Sequence, residues 1–154
     1  MSQSGNAYRN LSPERKLQLF SFEAERFLTS IIGYSKLLLA ESEQDTTLSA
    51  DFVRSLDAIQ RTGSKFAQII REVNYLDGGL NATSSPHEIL LLLLNQSGSL
   101  IPVITGYCAM LDMEARKPDF PTSLSPRFLD NFDMLLTAAI RLSKTREELS
   151  VSMK

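Results

Sequence analysis

The chain is poor in the residues that build metal and redox chemistry: among 154 residues it has one cysteine, Cys108, and one histidine, His87. A lone cysteine excludes an intramolecular disulfide framework, supplies no zinc site by itself and points to a reducing compartment. A lone histidine excludes multi-histidine metal sites, so no cofactor is expected. Excess charge of either sign is also missing, with 16 basic and 18 acidic residues and a net charge of −2. No basic field argues for nucleic acid, and no acidic tail argues for a basic partner. The first residues, MSQSGNAYRN, are polar and lack the basic-then-apolar layout of a signal peptide. No stretch alternates as a strand would. A cytoplasmic protein is expected.

Charge is absent locally as well. Ile89–Leu111 is 23 residues without a formal charge, long enough to span a bilayer. Asn95, Gln96, Ser97, Pro102 and Thr105 dilute its hydropathy. A helix that is buried or covered by a partner is the expectation, and no membrane partner.

What is present is helical periodicity. Ser12-Pro13-Glu14 reads as a helix start: a serine cap, a proline where its missing N–H is harmless, and an acid in the first turn. From there Leu17, Phe20, Ala24, Phe27, Ile31, Tyr34 and Leu38 form a heptad seam, widened by Leu28, Ile32 and Leu39. The first helix should run from Pro13 to about Glu41. Ser49 caps a second helix with Phe52, Leu56, Ile59, Gly63, Phe66, Ile70 and Val73 on its seam, ending near Leu76 before Asp77-Gly78-Gly79. Gly63, on the seam, implies close helix approach.

After the link Leu80–Ser84, Ser85-Pro86-His87-Glu88 forms a capping box. The third helix follows through Leu90, Leu93, Ser97, Leu100, Ile104, Tyr107 and Leu111, with Pro102 expected to bend or break it. Ser125-Pro126 opens a fourth helix, with Phe128, Phe132, Leu135, Ala139 and Leu142 on its seam and fraying near Ser150.

The halves are related. Ile104-Thr105-Gly106-Tyr107 repeats Ile31-Ile32-Gly33-Tyr34 at an offset of 73, which also carries Ala24 to Ser97, Leu28 to Ile101, Leu38 to Leu111 and Glu41 to Glu114. The second and fourth helices match at 76, because the later loop is three residues longer. The expected fold is all-α, a four-helix bundle of two tandem antiparallel hairpins: a loose arm over 1–11, then 12–79 and 80–154.

Phe20–Leu39, FSFEAERFLTSIIGYSKLLL, resembles the first helix of the dimerisation and phosphotransfer (HisKA-like) domain of sensor histidine kinases. A typical run there reads M-S-H-E-L-R-T-P-L-x-x-I-I-G-Y-S-x-L-L. Aligning Ile31-Ile32-Gly33-Tyr34-Ser35 on I-I-G-Y-S sets Ser21-Phe22-Glu23 on S-H-E, and Leu94-Asn95-Gln96 falls there in the second copy. The resemblance implies a bundle that meets a response-regulator receiver domain or a sensor kinase. The phosphoacceptor histidine is replaced by Phe22 and Asn95, and the family proline by Phe27 and Leu100. Neither replacement offers the imidazole nitrogen that forms a phosphohistidine. No Gly-rich ATP lid or acidic nucleotide-binding motif follows, so neither ATP binding nor autophosphorylation is expected.

In the heptad frame Phe22 and Asn95 fall at the outermost position. Phe22 with Glu23, Glu25 and Arg26, and Asn95 with Gln96, are therefore the candidate partner-contact residues. Leu91 and Leu92 lie off the seam of the third helix and, with its uncharged outer face, suggest a homodimer interface or a partner groove. Against these stand a solvated charged patch and a helix central in the bundle. Cys108 should be a small buried residue. His87 is the one side chain that could become a phosphohistidine, although Ser85 and Glu88 already account for its surroundings. The leading expectation is a non-catalytic adaptor or inhibitor in two-component signalling. The alternatives are a histidine phosphotransferase using His87 and a structural, oligomerising protein.

Overall fold

The computed structural model describes residues 6–45, 47–74 and 85–154. The expected stop at Asp77-Gly78-Gly79 and the link Leu80–Ser84 lie outside them. Four helices follow in order: α1 (Pro13–Ser42), α2 (Ala50–Asn74), α3 (Pro86–Ala115) and α4 (Pro126–Ser152). Each begins at a serine. Ser12 accepts from the Arg15 N–H, Ser49 from Phe52, Ser85 from Glu88 and Ser125 from Phe128, which satisfies one otherwise unpaired donor per helix. The box at Ser85 closes both ways, since the Ser85 N–H donates to Glu88 Oε1 at 2.8 Å.

Neighbouring helices run antiparallel. Lys16 Nζ near the start of α1 donates to the Ser152 carbonyl at the end of α4, while Glu41 at the end of α1 meets Ser125 at the start of α4. The helices form a ring in which α1 packs most extensively on α4 and α2, α3 closes against both of those, and α1 also meets α3 on the short diagonal. Across the long diagonal, Phe52 of α2 reaches Phe128 and Phe132 of α4, with ring centroids 6.2 and 5.8 Å apart. Phe120, from the loop before α4, sits 5.5 Å from the same ring. This is an all-α four-helix bundle with one continuous core.

The repeat is visible in what is buried. On α1 the buried positions include Phe20, Ala24, Leu28, Ile31, Ser35 and Leu38; on α3 they are Leu93, Ser97, Ile101, Ile104, Cys108 and Leu111, each 73 residues on. The expected seams of α2 and α4 are buried throughout. A Cβ on Gly63 would lie 3.3 Å from Ile32 Cγ1 and 3.4 Å from Ile31 Cγ2, so the glycine does admit close helix approach.

Three local expectations differ from the structure. Phe27, Tyr34, Leu100 and Tyr107 are only partly buried, and Leu28, Ser35, Ile101 and Cys108 take the inner track. A helix with two neighbours and a diagonal partner buries a wider arc than an a/d seam, and the small Ser35 and Cys108 let backbones approach. Second, α3 is helical without interruption from Pro86 to Ala115, so Pro102 does not break it. The Thr105 hydroxyl donates to the Ile101 carbonyl on the preceding turn. Third, residues 6–11 are docked: Tyr8 is fully buried and Asn6 Nδ2 donates to the Glu148 carbonyl at 2.9 Å.

Candidate functional site

The two positions aligned with the phosphoacceptor both face outward. Phe22 is 67% exposed, and Asn95 is exposed on α3. Since α1 and α3 oppose each other on the diagonal, their outer faces point away from one another. The predicted residues therefore form two separate surfaces.

On α1, Phe22 stands beside Glu25 and Arg26, with the Arg26 guanidinium 5.0 Å from the Phe27 ring centroid. That stacking holds the cation against the helix with a modest cation–π attraction. Glu23 is half-buried and engaged, as the Tyr8 hydroxyl donates to its Oε1 at 2.6 Å. Burial first, and the Glu23 carboxylate second, push the Tyr8 phenol well above its ordinary range. Sequence reasoning missed this arm; a tyrosine in an otherwise polar stretch was the available signal. Ser21, one residue before Phe22, has a buried hydroxyl without a partner among the described residues.

On α3, Leu91 and Leu92 are 48% and 40% exposed, and Val103, Met110 and Met113 continue the apolar surface. Gln96 is half-buried. By length and composition alone α3 could cross a membrane, with a mean hydropathy of 1.6 over an 18-residue window of which 33% is buried. Its polar content on the α4 side is used internally. Arg146 of α4 donates through Nε to Ser97 Oγ at 3.0 Å and through Nη2 to the Leu94 carbonyl at 2.9 Å. This charged clamp between helices was not foreseen.

His87 is exposed in the first turn of α3, inside the capping box. The Ser85 N–H holds the neighbouring Glu88 carboxyl below its ordinary range. Cys108 is buried, and desolvation pushes its thiol up to about 12. Among the described residues no group of three His, Cys, Asp or Glu side chains could hold a metal ion.

Two grooves are related by the repeat. One, of about 740 Å³ between α2 and α3, includes Asp51, Met110, Met113 and Glu114. The other, of about 580 Å³ between α4 and α1, includes their equivalents Arg127, Leu37, Ala40 and Glu41. Compared with protein-family models, with characterised proteins and with solved structures, the chain matches none of them.

Proposed function

We propose that this chain is a non-catalytic, phosphotransfer-like bundle that binds a response-regulator receiver domain or a sensor histidine kinase as adaptor or inhibitor. It does so without a cofactor and in a reducing, cytoplasmic compartment. The observation that carries the reading is Phe22. Where the resembled family holds its reactive histidine, this chain presents a phenyl ring that is 67% exposed. Covering such a ring contributes on the order of 1.5–3 kcal/mol, and aromatic anchors dominate interface energetics. Glu25 and Arg26 flank it, and the Tyr8 contact holds Glu23 in place beneath. Asn95 and Gln96 occupy the corresponding place on α3.

The test is titration of the full chain with receiver domains and with kinase dimerisation domains. Binding in the micromolar range or tighter, weakened at least tenfold by Phe22→Asp, is expected. No binding to any of them would remove the reading. The same receivers, phosphorylated beforehand, check the chemistry: no label should pass to the chain. Label retained by the wild type and lost in His87→Ala would replace the adaptor with a phosphotransferase.

A further inference from the structure

Arg54, Arg61 and Arg116 each pair with an aspartate three or four residues away, Arg71 donates to Gln68, and Arg146 clamps α3. Arg26 and Arg141 differ from these. Among the described residues neither has a carboxylate within 4.0 Å, and Arg26 rests on the Phe27 ring. Both line one cleft of about 200 Å³ between α1 and α4, together with the hydroxyl-bearing Ser30, Tyr34 and Thr137. No carboxylate lines it. The other clefts described all include one: Asp51, Asp57 and Glu114 between α2 and α3, Glu41 between α4 and α1, and Asp112 between α3 and α4. Packing does not require the cationic set. At the equivalent positions the other hairpin has Ser99 for Arg26, Val103 for Ser30 and Lys65 for Arg141, while Arg61, in place of Thr137, is tied to Asp57.

We propose that this cleft binds the phosphoryl group of a small molecule, either a phosphate monoester or phosphate itself. Guanidinium groups only donate hydrogen bonds, and hydroxyls donate readily where no carboxylate competes, so the lining selects a ligand made of acceptors. A phosphoryl group has three strong acceptor oxygens and nearly two negative charges at neutral pH. The planar fork of each arginine meets such oxygens two at a time. Two guanidiniums lining one small space repel each other, and a dianion placed between them is attracted to both. Size limits the rest of the ligand. The cleft is smaller than the roughly 300–1,000 Å³ of sites for drug-sized molecules, so it suits a phosphoryl head with at most a compact substituent, for which Phe27, Tyr34 and Met134 supply an apolar wall. Phe22 does not line the cleft, so this site stands or falls separately from the partner-binding reading.

Titration of the full chain with inorganic phosphate, and separately with phenyl phosphate, tests this, followed by amide NMR shifts with chloride holding the ionic strength constant. At about pH 8 both probes are largely dianionic. At least one should bind saturably, with a Kd of about 1 mM or tighter, and the shifted amides should cluster around Arg26–Tyr34 and Met134–Arg141. Tighter binding of phenyl phosphate assigns an ester as the ligand, and binding of inorganic phosphate at least as tight assigns the free ion. Arg26→Gln and Arg141→Gln should each weaken binding about tenfold or more, as the loss of a charge-assisted contact requires. Lys65→Gln removes the same charge at the position equivalent to Arg141 and should change it less than about twofold. Both arginines are exposed, so their replacement should leave the helical circular dichroism unchanged, and the shift map of the wild type needs no variant at all. Saturation by neither probe, shifts spread over the whole surface, or equal weakening by Lys65→Gln and Arg141→Gln would overturn the proposal.

Discussion

Ser125 donates a hydrogen bond of 2.6 Å to Glu41, so the last turn of α1 completes the first turn of α4. The same link recurs one repeat away, where Ser49 donates to Glu114 at 2.6 Å. Each serine hydroxyl accepts from its own helix and donates to a carboxylate of the other hairpin. The carboxylate sits at the unfavourable negative end of its own helix but also at the positive end of its partner. Ser125→Ala should cost about 1–2 kcal/mol, because it removes the cap as well as the link. Ser49→Ala should match it to within about 0.5 kcal/mol if the two ends are equivalent. Urea unfolding midpoints check both, and a Glu41→Gln/Ser125→Ala cycle should be non-additive.

Tyr8→Phe should cost about 1–3 kcal/mol by removing a donor to the Glu23 carboxylate. It should also change the alkaline limb. The folded-state phenol is raised above its ordinary value of 10.0, so its contribution is complete below pH 10 and is lost as pH rises beyond that. Wild-type stability should therefore fall above pH 10, and the fall should be shallower in Tyr8→Phe. Thermal melts from pH 8 to 11.5 measure it.

Cys108 behaves alike for a different reason, burial alone. Its thiol is raised from 9.0 to about 12, so its contribution is complete below pH 9 and fades as pH rises toward 12. At pH 8 a thiol reagent should modify the native chain far more slowly than the urea-unfolded chain. Equal rates would show that the thiol is accessible in the folded protein.

Glycines in corresponding kinds of structure should respond oppositely. Gly33→Ala places a methyl in open space and should stabilise by about 1 kcal/mol through helix propensity. Gly63→Ala directs the methyl at two stiff β-branched side chains, Ile31 and Ile32, at 3.3–3.4 Å. It should destabilise by about 1 kcal/mol despite the same propensity gain. Equal effects at the two sites would refute the packing argument.

The helices were legible because local rules agree over long stretches: serine caps before prolines, and seams that repeat every seven residues. The phase of the burial was less so. Phe27 and Tyr34 are large enough to read as the seam, yet Leu28 and Ser35 lie deeper, since a residue's depth depends on helices the local pattern does not contain. The outward placement of Phe22 and Asn95 followed from position in the heptad alone. The contacts that tie the ends together did not. Ser125–Glu41, Tyr8–Glu23 and Arg146–Ser97 join residues far apart in sequence, and ordinary polar residues give no local sign of which distant partner they will meet.

The crossed serine–glutamate links have a consequence for how the two copies could diverge. A bundle assembled from two identical hairpins must carry every substitution twice, on both sides at once. Joined by a linker, the hairpins meet at an effective concentration set by the tether, on the order of millimolar for a short flexible one, and pairing becomes a step in folding. Each outer surface can then change alone, so that one side remains charged around Phe22 while the other loses its charge along α3.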